Sequence, residues 1–464
     1  MKRRLEFAIA AALPCLLLSG CGLGTTSLDA VSTATPAAPH GIKISGSVHG
    51  GQQPVNGASI YLFAASTNGY GAASVSLLNT AVSGVSTDFV GNGYVTTDSN
   101  GNFTITGDYT CPAGALVYAA AIGGNPGLVS GTNNSALSMI SALGPCSGLS
   151  PSTFISINEV TTVASIWALA PFVTDVSDIG TSPTNVQGLT SAFALVNQLV
   201  NIGTGNVSGP ALPANTVLPV AQMNTIANIL SACINSPGGV PGDGTACGTL
   251  FAAATPAAAS TVPYDTVAAA LTMARNPALG IVTLFTLVPS NPPFQPALAV
   301  APNDWSLVVK YKPAGLSTPK GLAIDANGNI WIANCGSANC ATSGVGNVTE
   351  VAPSGVTIGT TSAGGLNIPY AIAIDLSGNA WVANYGGNSI TELNSSLTPV
   401  APAYTGGGLN APNSIAIDNA GDAWLTNAGA ASVSEFSSAG AALSGSSGIS
   451  TSGGSSIAIA IDPH

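Results

Sequence analysis

The rhythm of apolar and polar positions changes twice along this chain of 464 residues. Residues 42–125 read as strands. The stretches IKISGSVHG, NGASIYLFAAST, GYVTTDSNGNFTIT and ALVYAAAIGG alternate or are rich in β-formers, with Gly, Asn and Asp between them. Across 126–300 the period lengthens. NEVTTVASIWALAPFV, NVQGLTSAFALVNQLV, VAQMNTIANILSAC and YDTVAAALTMARNP place apolar residues at i, i+3, i+4 and i+7, which predicts Ala-rich amphipathic helices around one core. Across 301–464 short strand patterns return.

The last region repeats itself. GLAIDANGNIWIAN at Gly321–Asn334 comes back as AIAIDLSGNAWVAN at Ala371–Asn384 and as SIAIDNAGDAWLTN at Ser414–Asn427. Asp325, Asp375 and Asp418 lie 50 and 43 residues apart, and Trp331, Trp381 and Trp424 keep the same step. Glu350, Glu392 and Glu435 follow at 42 and 43. A period in the forties with several strand segments per unit is the pattern of propeller blades, each stacking an apolar face on the next. The Trp is expected between neighbouring blades. A fourth unit starts at Ser456 and reaches only Asp462-Pro463-His464. The expectation is a partial propeller of about three blades plus one strand. That is short of the roughly four to eight blades of closed rings, so the propeller reads as C-terminally incomplete.

Pro-x-x-Ile-Ala-Ile-Asp-x-x-Gly-Asn-x-Trp-Val resembles the NHL-repeat propeller family and, more loosely, the streptogramin-lyase-like propellers. The arginine of the usual NHL unit is absent after Asn334, Asn384 and Asn427, which argues against an RNA-binding surface. The lyases use a histidine and a metal, whereas the histidines here are His40, His49 and His464. The stretch SGSVHGGQQPVNGASIYLF, with Pro54, Gly57 and Ala58, and TDSNGNFTI at Thr97–Ile105 resemble the carboxypeptidase-regulatory-like (prealbumin-like) β-sandwich. CPAGALVY departs from that family's next turn. The resemblance implies a spacer or binding module.

The N-terminus reads as an address. Lys2, Arg3 and Arg4 precede an apolar run, Phe7–Leu18, too short for an ordinary membrane-spanning helix. Leu18-Ser19-Gly20-Cys21 resembles the lipobox of bacterial lipoproteins. This implies a signal peptide over 1–20, lipidation at Cys21 and a flexible tether over 21–41. Gly22 after the cysteine implies outer-membrane sorting by the same resemblance. The expected location is the bacterial cell envelope, outside the cytoplasm.

Charged residues make up only 6 % of the chain, against roughly 25 % in ordinary globular proteins. Apolar residues make up 46 %, so the chain has ample material for cores. Loss of residues 1–20 removes three cations and one acid and moves the net charge from −11 to −13. That disfavours nucleic acid. Six cysteines remain after Cys15 and Cys21: Cys111, Cys146, Cys233, Cys247, Cys335 and Cys340. An even set in an exported chain points to disulfides. Sequential pairing keeps each bridge inside one candidate domain. A metal site is the rival reading, but no histidine lies near these cysteines and no Cys-x-x-Cys occurs.

Catalytic motifs are missing. There is no Gly-x-Ser-x-Gly, no His-Glu-x-x-His and no phosphate-binding Gly-rich loop. DANGN at Asp325–Asn329 resembles the start of a calcium loop but lacks its distal Glu, so a plain turn is expected. Glu159 is expected to be a hydrogen-bonded or capping residue near a helix start rather than a buried catalytic carboxylate. Asn334, Asn384 and Asn427 end equivalent strands and are the candidate ligand rim. No cofactor and no metal are expected. The leading function is a non-enzymatic, lipid-anchored binding or scaffolding protein with an extracellular protein, glycan or small molecule as partner. The alternative is a streptogramin-lyase-like enzyme acting on a lactone, ester or carbohydrate.

Overall fold

The computed structural model describes residues 41–462 except 108, 259, 260, 343 and 456. The expected signal peptide, Cys21 and nearly all of the tether lie outside the described residues, as do His40 and His464. The described chain is β-rich, with many small sheets and a few helices.

The first part holds two sheets. In one, β1 (Ile44–Gly50) is central. β1 pairs antiparallel with Asn102–Ile105 and parallel with Phe154–Ile157. In the other, Ser59–Ala64 lies between Gly93–Thr96 and Leu116–Ile122, and Ser138–Pro145 forms the edge. The alternation anticipated before residue 125 is present, but the sheets continue past it. Ser138–Pro145 and Phe154–Ile157 fall where helices were expected. SMISALGP has no strand-like alternation because seven of its eight residues are buried. Strands buried on both faces lose the period-2 signal.

The helices then close on this edge. The main ones are α1 (Glu159–Leu169), α2 (Val186–Leu199), α3 (Val220–Ile234), α4 (Ala246–Ala253) and α5 (Thr266–Arg275). An edge strand presents unpaired N–H groups, which must find partners when buried. Here helix hydroxyls serve. Thr162 and Ser165 of α1 accept from Ile140 N and Ala142 N at 3.1 and 3.0 Å, and Thr266 of α5 accepts from Ser138 N at 3.0 Å. Strands and helices therefore share one continuous core, running from Ile44 to Trp305, where a border at 125/126 had been expected.

The repeats form three antiparallel blade-like sheets. Their first three strands are Pro319–Ile324, Ile330–Asn334 and Asn347–Val351; Pro369–Ile374, Ala380–Asn384 and Ser389–Leu393; and Pro412–Ile417, Ala423–Asn427 and Ser432–Phe436. An outer strand, Thr357–Thr361, completes the first sheet. The repeated Asp has two tasks. Its Oδ1 accepts backbone N–H groups two and four residues on, closing the turn, as at Asp375 with Ser377 N (2.8 Å) and Asn379 N (2.9 Å). Its Oδ2 accepts the indole N–H six residues on, at 3.2, 3.0 and 3.0 Å in the three blades. The indole is thereby aimed at the next blade. Trp331 packs among residues of blades one and two, and Trp381 among those of blades two and three; both are fully buried. Trp424 is only half-buried.

Residues 457–462 do not form the expected fourth strand. Ladder pairing occurs between the strands within a blade. This segment instead meets blade three through side chains, with Asn413 Nδ2 donating to Ile457 O (3.4 Å) and Ile459 N donating to Ser414 Oγ (3.3 Å). The first blade rests against α2. Tyr311 donates to Gln198 Oε1 (2.6 Å), and Gln198 Nε2 donates to Ser354 O (3.1 Å).

Candidate functional site

A cleft of about 740 Å³ opens where β1 and Phe154–Ile157 meet the start of α1. Its floor follows from strand alternation. Ile44 and Val48 of β1, and Ile155 and Ile157, face the core. Ser47, His49, Phe154 and Ser156 therefore face the other way and line the cleft. Ser47 and Ser156 are register partners, so their hydroxyls lie side by side. The walls are the 203–207 turn, the first turn of α3 with Asn224, and the loop at Pro293–Gln295.

The base is rigid. Asn158 caps α1, its Oδ1 accepting from Thr161 N (2.9 Å) and its Nδ2 donating to Gly205 O (3.0 Å). That pins the wall turn to the helix start. Next to it, Glu159 is fully buried, and its two oxygens accept from Gly51 N at 2.8 and 3.0 Å. Burial pushes its carboxyl up to about 8. Of the two roles expected for Glu159, the geometry gives the hydrogen-bonded one: its oxygens accept from Gly51 N, and the cap is Asn158. His49 is half-buried, and burial lowers its pKa from the ordinary value, keeping the imidazole neutral at pH 7.

No Lys, Arg, Asp or Glu lines the cleft. Its lining is uncharged: hydroxyls, amides and one imidazole, with the ring of Phe154, which is 42 % exposed, and apolar groups from Phe294, Pro293, Val207 and Val220. Such a surface offers hydrogen-bond donors and acceptors without net charge. It holds no acid–base pair, because His49 has no carboxylate partner and Glu159 faces Gly51 N.

The candidate rim residues need correction. Asn334, Asn384 and Asn427 are fully buried. Asn384 Nδ2 donates to Ser389 Oγ (3.2 Å) and Thr391 Oγ1 (2.9 Å), and its Oδ1 accepts from Asn367 N (3.2 Å). Asn427 repeats the arrangement with Ser432, Ser434 and Asn410 N, and Asn334 with Asn347, Thr349 and Ser317 N. The backbone nitrogens held in this way lie just before Thr318, Ile368 and Ala411, whose φ values are 53, 50 and 50°. Left-handed backbone at a residue other than glycine costs about 1–3 kcal/mol, and the buried amide offsets it. These asparagines brace a strained turn and leave nothing for a ligand.

Cys111 is bridged to Cys146, Cys233 to Cys247 and Cys335 to Cys340, with Cα separations of 5.7, 4.4 and 5.3 Å. The first bridge ties the loop before Leu116 to the end of the edge strand. The second joins α3 to α4, and the third closes a loop in blade one. Among the described residues no group of three or more His, Cys, Asp or Glu is placed to hold a metal ion.

The cleft was not anticipated. Its residues come from positions near 50, 155, 205, 224 and 294, and only folding joins them. One local signal existed: Ser47-x-His49 and Phe154-x-Ser156 put polar or exposed groups on one face of strands whose other face is aliphatic.

No family model matches the sequence, and no curated protein matches it. Several solved structures share a limited likeness. Virginiamycin B lyase from Staphylococcus aureus is 17 % identical, over 27 % of this chain and 40 % of that one, with a TM-score of 0.22. A nidogen/laminin complex gives 16 %, 30 %, 50 % and 0.24, and a putative gluconolactonase gives 19 %, 28 %, 47 % and 0.22. The chain thus spans two fifths to one half of these three chains. These neighbours are propeller-type proteins and include both enzymes and binding proteins. At such TM-scores they decide nothing, and the description of the blades rests on their own strand pairing.

Proposed function

We propose that this is a lipid-anchored, extracytoplasmic binding protein of the bacterial envelope, sorted to the outer membrane through Cys21. Its sandwich–helix body binds a partner, and its propeller-like blades act as scaffold. The observation that carries this reading is the cleft: rigidly based, polar, uncharged and without an acid–base pair. The three local disulfides suit an oxidising compartment. Among the described residues no helix is long and apolar enough to cross a membrane.

The test is lipid labelling and fractionation of the full chain beside Cys21→Ser. The natural chain is expected to incorporate labelled fatty acid and sediment with outer membranes, and the variant to do neither. Unchanged labelling and fractionation of the variant would overturn the anchor. Turnover of lactone or ester substrates by the purified chain would overturn the non-enzymatic reading.

A further inference from the structure

We propose that the cleft over β1 and Phe154–Ile157 binds a neutral saccharide. The proposal rests on the binding-protein reading and names the class of ligand that the same site takes.

Charge narrows the choice first. An anionic ligand would find no Lys or Arg in the lining, and a cationic one no exposed carboxylate. A charge moved out of water without a partner carries a heavy desolvation cost, so the ligand is neutral. An apolar ligand is disfavoured for the opposite reason. It would cover Ser47, His49, Ser156 and Asn224 without returning hydrogen bonds, and each polar group left unpaired costs about 1–3 kcal/mol. The ligand must therefore be dense in hydroxyls or amides.

The geometry points from there to sugar rings. The paired hydroxyls of Ser47 and Ser156 can each donate and accept, which matches a vicinal diol. Neutral His49 offers one donor and one acceptor nitrogen. Asn224 has its Nδ2 engaged by Pro296 O (3.0 Å), leaving Oδ1 as an acceptor. Beside them the exposed ring of Phe154 gives a flat apolar surface on which the C–H face of a pyranose can lie. An extended peptide fits less well. Peptides commonly add to a free strand edge; β1 is paired on both sides, and the outer side of Phe154–Ile157 is engaged where Ser156 N donates to Ile202 O (2.7 Å), so the cleft offers a sheet face instead. The bonds from Asn158 to Gly205 and from Gly51 to Glu159 fix the floor before any ligand arrives, which lowers the ordering cost of binding.

The test is affinity electrophoresis of the purified full chain through gels containing neutral β-glucan, xylan, galactomannan or dextran, with polygalacturonate as the charged control. At least one neutral polymer is expected to retard the chain, and polygalacturonate is not. Phe154→Ala and Ser156→Leu are each expected to weaken binding to that polymer at least tenfold. Phe154 is exposed, so its variant should keep the natural Tm. Absence of retardation by every neutral polymer overturns the proposal, whether or not a peptide or a charged polymer binds. Retardation that both variants retain overturns the cleft as the site while leaving the binding-protein reading intact. Failure of that broader reading shows instead in the labelling and turnover assays.

Discussion

In the blades, one residue type meets one need three times: Asp325, Asp375 and Asp418 each close a turn and hold an indole. In the body before them, Thr162, Ser165 and Thr266 each cover a different atom of a single strand. Both regions solve the same problem, the satisfaction of buried polar groups in a chain with few charges. They differ in redundancy. A blade carries local instructions that suit any blade, whereas the body depends on single contacts between residues far apart in sequence.

The sharpest break of that comparison lies within the blades. Trp381 is fully buried between two blades, and Trp424 in the same register is half-buried. Trp381→Ala should destabilise by about 3–5 kcal/mol. Trp424→Ala should destabilise by about half as much, both measured by urea unfolding of the blade transition. Equal losses would mean that the indole serves its own blade and not the interface.

In the body, Thr162→Val keeps shape but removes the acceptor for Ile140 N, with an expected loss of about 1–3 kcal/mol. Hydrogen exchange at Ile140 should quicken while the blades stay unaffected. If the blades loosen equally, the two regions are not independent in stability.

The last effect concerns pH. Burial raises the folded-state pKa of Glu159 from 4.5 to about 8, so the folded form holds its proton more tightly than the unfolded form. Its favourable contribution is complete below about pH 4.5 and is lost as pH rises toward 8. Glu159→Gln cannot ionise and retains an acceptor for Gly51 N. The natural chain should therefore lose Tm relative to the variant between pH 5 and 8. Parallel profiles would show that Glu159 does not titrate in this window.

The repeat was legible because each blade states its own rule within about fifty residues. The alternation of β1 and of Asn102–Ile105 was legible because one face of each is polar. Ser138–Pro145 was not, since helices cover what would have been its polar side. The strand-end asparagines were visible as a set but misread: spacing shows that Asn384 matches Asn427, and only the fold shows that both point inward. The cleft was least legible, because no window of sequence contains both Ser47 and Ser156.

The neutral cover over the edge strand has a consequence for the surroundings this protein can tolerate. Ion pairs weaken as salt rises, since the Debye length shrinks from about 10 Å at 0.1 M to about 3 Å at 1 M. The hydroxyls of Thr162, Ser165 and Thr266 carry no net charge to screen. The joint between sheet and helices is therefore built from contacts indifferent to ionic strength.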